Sequence, residues 1–101
     1  MKVTLYLAVT TAIPIPSTQP ARRVEILEDG SVIAQGLVIT RAGVTETTLP
    51  GVPFVIEDRV ATGAGMGRIL GHPTQVYRAA DIYCTVASKG AATTVVVREF
   101  D

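Results

Sequence analysis

The sequence predicts an all-β protein, and more narrowly a single antiparallel β-sandwich or jelly-roll-like barrel of about seven to nine short strands with little helix. Val, Ile and Thr make up 35 of the 101 residues, and their stiff χ1 angles fit a pleated strand better than a helix. Turn residues separate the apolar runs about every eight to twelve residues, and no stretch has the apolar spacing of an amphipathic helix. The length is that of one domain, which we expect to span residues 1–101.

The charge balance narrows the class of partner. Nine basic and nine acidic residues give a formal net charge of zero, which argues against nucleic-acid or anionic-membrane partners, because both are bound largely through phosphate neutralisation. Zero net charge with a mean hydropathy of +0.38 favours association, so we expect a homo-oligomer or a protein partner. Seven of the nine basic residues are Arg, a bias that fits protein interfaces and ordinary surface electrostatics equally well.

The chain begins with an alternating strand pattern. Val3, Leu5, Leu7 and Val9 fall on one side of a strand, and this side is predicted to be the buried one. A lysine followed by apolar residues also resembles a signal peptide, but the period-two interruptions favour a mature strand. We therefore expect an unprocessed protein made in the cytoplasm.

A proline-rich segment, residues 13–20, follows this strand. Prolines at positions 14, 16 and 20 exclude a central strand, because proline donates no backbone hydrogen bond. The segment is predicted to be an extended connector, at a sheet edge or as an arm that lies on a neighbouring subunit. A proline-rich recognition ligand is a sharper alternative, and a plain linker is the simpler one.

Turn signals separate the strands in the middle of the chain. A strand with one solvent-exposed face is predicted at Arg22–Glu28. A second strand is predicted at Val32–Thr40. Gly36 interrupts it and marks either a bulge or another tight turn. Asp-Gly favours a tight hairpin and Pro-Gly a type II turn. The predicted turns are Asp29-Gly30-Ser31, Ala42-Gly43 and Leu49-Pro50-Gly51.

The last twenty residues, Asp81–Phe100, give the clearest strand signal. Two β-rich runs flank Lys89-Gly90, and the pattern predicts that they fold back on each other as a hairpin. Alternation places Cys84 in the core as a small buried hydrophobe, and it places Tyr83 on the opposite face, where a partner would dock.

No catalytic, cofactor-binding or metal site is predicted. The glycine-rich loop Gly63–Arg68 lacks the spacing of a phosphate-binding motif, so we expect a mobile loop that orders against a neighbour and brings Arg59 and Arg68 to the contact. The single histidine, His72, precedes a proline and is expected in a loop. One His and one Cys are too few for zinc, and Cys84 has no triad spacing to His72. The protein is therefore predicted not to be an enzyme.

Three stretches carry a resemblance to a known class of proteins. Ile13–Ile26, Thr48–Ile56 and Ala80–Ala91, with the Leu49-Pro50-Gly51 turn before a strand and the Asp81-Ile82-Tyr83 strand start, resemble small virion structural proteins of tailed bacteriophages. The resemblance implies a compact β-sandwich that decorates or cements a capsid. It also implies a location in the virion and partners among the major capsid protein or other virion proteins.

These expectations give a set of interface residues and one alternative function. The interface is predicted to use the proline-rich segment, surface arginines and the tip of the last hairpin. Its residues are Ile13, Pro14, Ile15, Pro16, Arg22, Arg23, Arg59, Arg68, Tyr83 and Lys89. The alternative is a carbohydrate-binding or host-recognition module of a tail fibre, for which only Tyr6, Tyr77 and Tyr83 could serve as aromatic platforms.

Overall fold

The computed structural model describes residues 1–29, 34–57 and 82–100. These ranges contain two antiparallel four-stranded sheets and no helix, which confirms the all-β class. The first sheet has the order β1-β8-β3-β6 and the second the order β2-β7-β4-β5. The strands are β1 Lys2–Val9, β2 Ile13–Pro16, β3 Arg23–Glu28, β4 Leu37–Arg41, β5 Val44–Thr47, β6 Phe54–Glu57, β7 Ile82–Ser88 and β8 Thr93–Phe100.

Both sheets contribute to one apolar core, which makes the arrangement β-sandwich-like. Because side chains alternate along a strand, each central strand turns every second residue inward. Burying one such Val, Leu or Ile side chain fully stabilises the fold by about 1.5–3 kcal/mol. The cluster contains Val9, Ala21, Val24, Ile26, Ile56, Val95 and Val97 from the first sheet and its flanks, and Ile15, Leu37, Ile39, Tyr83, Cys84 and Val86 from the second.

The predicted hairpin at the end of the chain is wrong. β7 pairs with β2 and β4, whereas β8 pairs with β1 and β3, so the residues around Lys89-Gly90 cross from one sheet to the other. A four-residue connection can span the roughly 10 Å between packed sheets as readily as it can close a hairpin. The crossing suits these two apolar strands better than a hairpin does. It places each of them in the middle of its own sheet, with a neighbouring strand on both sides.

β3 and β4, which flank the predicted Asp29-Gly30-Ser31 turn, also lie in different sheets. Gly30 and Ser31 of this predicted turn lie outside the described residues, as does Val32, where the next strand is predicted to begin. Asp29 itself continues the pairing of β3 with β8, because its N–H donates to the Thr94 carbonyl at 2.8 Å. The two strands therefore do not form a hairpin.

The other two predicted turns are confirmed. β4 and β5 form a hairpin in which Arg41 pairs with Val44, and Ala42 and Gly43 both have positive φ angles, 51° and 79°, as in a type I′ turn. At the second turn, Gly51 has a φ of 77° and the Val52 N–H donates to the Leu49 carbonyl at 3.1 Å. This is the type II geometry that Pro50-Gly51 predicts.

Gly36 provides the sharp bend that precedes β4. Its φ is +96°, and a Cβ added there would lie 2.5 Å from the Thr48 carbonyl oxygen. The Glu28 carboxylate accepts hydrogen bonds from the backbone N–H groups of Gln35 and Gly36 at 2.8 and 2.7 Å. The positive φ and the close Thr48 carbonyl oxygen both require glycine at this position.

The predicted burial of β1 is wrong for three of its four residues. Tyr6 is aligned with Val95, and Val9 with Thr93, so the three steps on β1 match only two on β8. This bulge, which includes Ala8 with a φ of 54°, reverses which residues face the core. Val9 is buried as predicted, whereas Val3, Leu5 and Leu7 are exposed.

The start of the proline-rich segment forms the edge strand of the second sheet. β2 pairs only with β7 among the described strands, which agrees with the edge position expected for Pro14 and Pro16. Ile15 lies in the core of its own chain. Residues 13–16 are therefore part of the sheet.

Candidate protein-binding surface

The outer face of the first sheet carries a group of apolar side chains. Leu5 on β1 is aligned with Val96 on β8, and Val96 is aligned with Leu27 on β3, so these three form a row across the sheet. Val3 and Leu7 flank Leu5 along β1. Val3, Leu5 and Leu7 are 49%, 57% and 73% exposed. Leu27 is half-buried and Val96 is only 9% exposed, so the three β1 side chains supply most of the accessible apolar area. We call Val3, Leu5, Leu7, Leu27 and Val96 the outer apolar surface.

A charged network borders the outer apolar surface at one end. Arg23 contacts Glu25 at 2.7 Å and Glu57 at 3.4 Å, and Arg98 contacts Glu25 at 3.5 Å. The Arg23 guanidinium also lies 5.7 Å from the centre of the Phe100 ring. Such exposed cross-strand pairs contribute roughly 0.2–1 kcal/mol each. An apolar centre with a polar rim is the usual anatomy of a protein interface.

The edge position of β1 adds backbone groups to this surface. β1 is the terminal strand of the first sheet, and within residues 1–29, 34–57 and 82–100 only β8 pairs with it. Every second residue of such an edge presents an N–H and a carbonyl that can accept another strand. β1 is long, has no proline, and has Lys2 as its one charged residue.

A buried carboxylate, Glu99, joins the two sheets at the opposite face of β8. Glu99 is fully buried and accepts a hydrogen bond from the Tyr83 hydroxyl at 2.7 Å. The Thr18 hydroxyl also donates to it, as do the backbone N–H groups of Thr18 and Gln19 at 3.0 and 3.4 Å. Glu99 therefore links β8, β7 and the chain between β2 and β3.

Hydrogen bonding determines the charge of this carboxylate. Burial would raise the pKa of Glu99, but the hydrogen bonds from the Thr18 and Tyr83 hydroxyls, and then those from backbone N–H groups, outweigh it and hold the pKa below its usual value. Burial raises the pKa of nearby Tyr6, and the negative charge of Glu99 raises it further. Glu99 is thus an ionised structural group with its oxygens occupied.

Cys84 lies in the core, as predicted. Its side chain is buried, and burial raises the pKa of the thiol to about 12, against a smaller lowering by Arg41. A thiol with this pKa is almost wholly protonated at neutral pH and is a poor nucleophile. Cys84 acts as a small hydrophobe.

The structure distributes the predicted interface residues over several places. Pro14, Arg22 and Lys89 are exposed, Ile13 and Pro16 are half-buried, and Ile15 is buried. Arg23 belongs to the charged network described above. Arg59 and Arg68 lie outside the described residues, as does the Gly63–Arg68 loop. Among the described members of this set, residues 13–16 lie in the second sheet and Arg23 lies in the first.

Tyr83 occupies a different place from the one that alternation predicts. Its side chain is 1% exposed, because the pairing of β2 with β7 shifts between Cys84, aligned with Ile15, and Ile82, aligned with Pro16. Tyr83 is the extra residue of this bulge, so it turns inward next to the equally buried Cys84. It has no surface to offer to a partner or a sugar.

The alternative function, a carbohydrate-binding module, needs exposed aromatic side chains on which a sugar can stack. Tyr83 is buried with its hydroxyl on Glu99, and Tyr6 is half-buried against the core. Tyr77 lies outside the described residues. Neither described tyrosine presents an open ring face of the kind that stacks on a sugar.

The outer apolar surface was missed by sequence reasoning. Period-two alternation predicts that Val3, Leu5 and Leu7 lie in the core. The alternation shows that the two sides of the strand differ, but it does not show which side is buried. One feature of the sequence favoured the other side of the strand. Tyr6 lies on that side, and its large ring fills more core volume than a Val or Leu side chain does.

Two further findings bear on chemistry and location. In the part of the chain that the structure describes, no three His, Cys, Asp or Glu side chains come together in a way that could hold a metal ion. The same residues include no helix long and apolar enough to cross a membrane.

No protein-family model, curated protein or solved structure matches this chain. The fold alone defines the class: in the part of the chain that the structure describes, the protein is all-β, with two antiparallel four-stranded sheets.

Proposed function

We propose that this chain is a non-enzymatic structural protein that binds other proteins through the outer apolar surface. The observation that carries the proposal is the exposure of Val3, Leu5 and Leu7, at 49%, 57% and 73%, in one line along an edge strand. Large apolar side chains that adjoin one another on a surface are typical of interaction sites. Full burial of a fully exposed Val or Leu side chain contributes about 1.5–3 kcal/mol, so a partner that covers these partly exposed side chains gains a corresponding fraction of that for each.

The specific assembly that we propose is the virion of a tailed bacteriophage, with the chain as a capsid decoration or cement subunit. The support is the resemblance of Ile13–Ile26, Thr48–Ile56 and Ala80–Ala91 to small virion proteins. The partner is then the major capsid protein or another virion protein. The fold that we propose for it is a β-sandwich of jelly-roll-like form. The support is that, among the described strands, all consecutive pairs except β4 and β5 lie in different sheets.

A small apolar surface is sufficient in such a setting. A stable pairwise interface usually buries about 1,600 Å² in total, and a line of three side chains supplies only part of that area. On a capsid, however, the same contact is repeated by symmetry, and linked contacts gain effective concentration without any new interaction. A modest surface used many times therefore stabilises the whole shell.

The test is co-sedimentation with empty heads assembled from the major capsid protein encoded in the same genome. The chain is expected to pellet with the heads and to saturate at a fixed ratio to capsid subunits, because the sites are set by symmetry. Heads decorated in this way are expected to resist heat or low salt better than bare heads. Failure to pellet at any ratio, or binding without saturation, would contradict the proposal.

A further inference from the structure

The outer edge of β1, which no other strand in the described part of the chain covers, has a sequence that is complementary to itself. In an antiparallel pair, residues directly opposite each other point to the same face of the sheet. If two copies of β1 pair about a two-fold axis at Leu5, Leu5 lies opposite Leu5 of the second copy. Val3 then lies opposite Leu7, and Thr4 opposite Tyr6.

The positions of the exposed side chains favour an axis at Leu5 over an axis at any other residue of β1. Val3, Leu5 and Leu7 are all exposed, lie on the same side of β1 and are evenly spaced. Only an axis at the middle residue pairs all three with one another. Every pair on the outer face is then apolar with apolar, and such directly opposed pairs stabilise a sheet.

The charges of β1 permit the same arrangement. Lys2 is the only charged residue in the strand, and the axis at Leu5 places it opposite Ala8 of the other copy. The two Lys2 residues are then separated by about six residues, or roughly 20 Å along the strand. That is more than twice the Debye length of about 8 Å at physiological salt, so their repulsion is screened.

We propose that β1 pairs with β1 of a second copy of this chain, antiparallel and centred on Leu5, to join two first sheets into one eight-stranded sheet. The pair is isologous, as most homodimer interfaces are. In the central stretch, residues 3–7, every second residue of each strand forms inter-strand hydrogen bonds, because the N–H and carbonyl groups of the residues between them point towards β8. The outer apolar surfaces of the two copies then adjoin each other and form one continuous patch.

Disulfide cross-linking tests the pairing and its register without any other protein, so the result is independent of the proposed capsid function. Opposite residues have Cα atoms about 5 Å apart, within the range that a disulfide needs. Leu5→Cys is therefore expected to form a covalent dimer under mild oxidation at least tenfold faster than Leu49→Cys. Leu49 is 71% exposed in a turn, so its variant is a matched control for random collision.

Two further cysteine variants define the register. Val3→Cys alone is expected not to cross-link, because its two copies are about 14 Å apart, beyond the reach of a disulfide. A mixture of Val3→Cys and Leu7→Cys is expected to form a heterodimer rapidly. The unmodified chain controls for Cys84, which is buried.

Analytical ultracentrifugation provides the second measurement and needs no cysteine. The unmodified chain is expected to show a monomer–dimer equilibrium. Leu5→Lys, which places two lysines directly opposite each other, is expected to raise the dimer dissociation constant at least tenfold, and Leu49→Lys to leave it unchanged. A chain that remains monomeric at millimolar concentration, or a Leu5→Cys variant that cross-links no faster than Leu49→Cys, would overturn the proposal.

Discussion

At the scale of single residues, the buried carboxylate of Glu99 connects separate parts of the chain through hydrogen bonds. Its two carboxylate oxygens accept hydrogen bonds from Thr18 and Gln19, which are adjacent residues between β2 and β3, and from Tyr83 on β7. The Gln19 side chain also donates to the Glu99 backbone carbonyl at 3.2 Å. An ionised acceptor suits this site because every contact to the carboxylate is a donor.

Glu99→Gln is expected to destabilise the fold at neutral pH by about 2 kcal/mol or more, because the amide turns one acceptor into a donor that faces other donors. Chemical denaturation measures the change in the free energy of unfolding. Glu46→Gln, the same substitution on an exposed strand, is the control and is expected to have almost no effect. Equal stability of the two variants would contradict the role given to Glu99.

The pH dependence of this effect has a definite sign. The folded pKa of Glu99 is lowered from its ordinary value of 4.5, so its stabilisation is fully present above that value and is lost as the pH falls through the folded pKa. The difference between the unmodified chain and Glu99→Gln is therefore expected to shrink below about pH 4.5. Denaturation curves at pH 7 and at pH 3 measure it, and a difference that grows in acid would contradict this account.

Residue identity alone did not reveal Glu99. The sequence places it next to Arg98 near the end of a strand, and a glutamate is seldom fully buried. Instead Arg98 contacts Glu25 across the outer face, and Glu99 points inward. Cys84 was predicted correctly, because a small thiol in an apolar run has few alternatives to the core.

At the scale of elements, turns were predicted better than the pairing of strands. The Ala42-Gly43 and Pro50-Gly51 turns follow from local geometry, since each needs positive φ at positions where the sequence provides Gly. The partner of a strand depends on distant residues. The connections after β3 and β7 therefore looked like hairpins, although they cross between the sheets. Bulges in β1 and β7 then reversed the face expected for Leu5 and for Tyr83.

Gly36→Ala is expected to cost at least about 2 kcal/mol more than Gly51→Ala. Both glycines have positive φ, so both substitutions carry the left-handed strain of about 1–2 kcal/mol. Only the Cβ at position 36 meets an atom, the Thr48 carbonyl oxygen at 2.5 Å, whereas position 51 is open. Urea denaturation of the two variants measures the difference, and equal losses would show that the contact with Thr48 is unimportant.

Ala42→Asn is expected to stabilise the fold by about 0.5–1 kcal/mol. Ala42 has a φ of 51° at the first central position of the β4–β5 turn, where Asn-Gly is the preferred sequence. The melting temperature measures the gain. Ala12→Asn is the control at an exposed residue whose φ is not positive, and a gain in this variant as large as that of Ala42→Asn would rule out the turn as the cause.

For the whole molecule, the fold class followed from composition and turn spacing, whereas the binding surface did not. β-branched residues and regular turns restrict the chain to two packed sheets, whichever way each strand faces. The position of the surface depends on the face that β1 presents to solvent, and a single bulged residue, near Ala8, reverses that face. The proline-rich edge was visible in sequence because proline removes a backbone donor.

The outer apolar surface makes the two faces of the first sheet different from each other. One face of the first sheet carries Leu5, Leu27 and Val96 in a row, while its other face closes the core. In the proposed assembly this outer face contacts the capsid, and the edge of β1 contacts a second copy. The two contacts are compatible because one is perpendicular to the sheet and the other lies in its plane.

Binding of variants to empty heads tests the central claim most directly, namely that the outer apolar surface is the contact surface. Leu5→Lys and Leu49→Lys make the same chemical change at two exposed leucines in different parts of the fold. Co-sedimentation is expected to show at least tenfold weaker binding for Leu5→Lys and unchanged binding for Leu49→Lys. Unchanged binding of Leu5→Lys, with or without a loss for Leu49→Lys, would contradict the account.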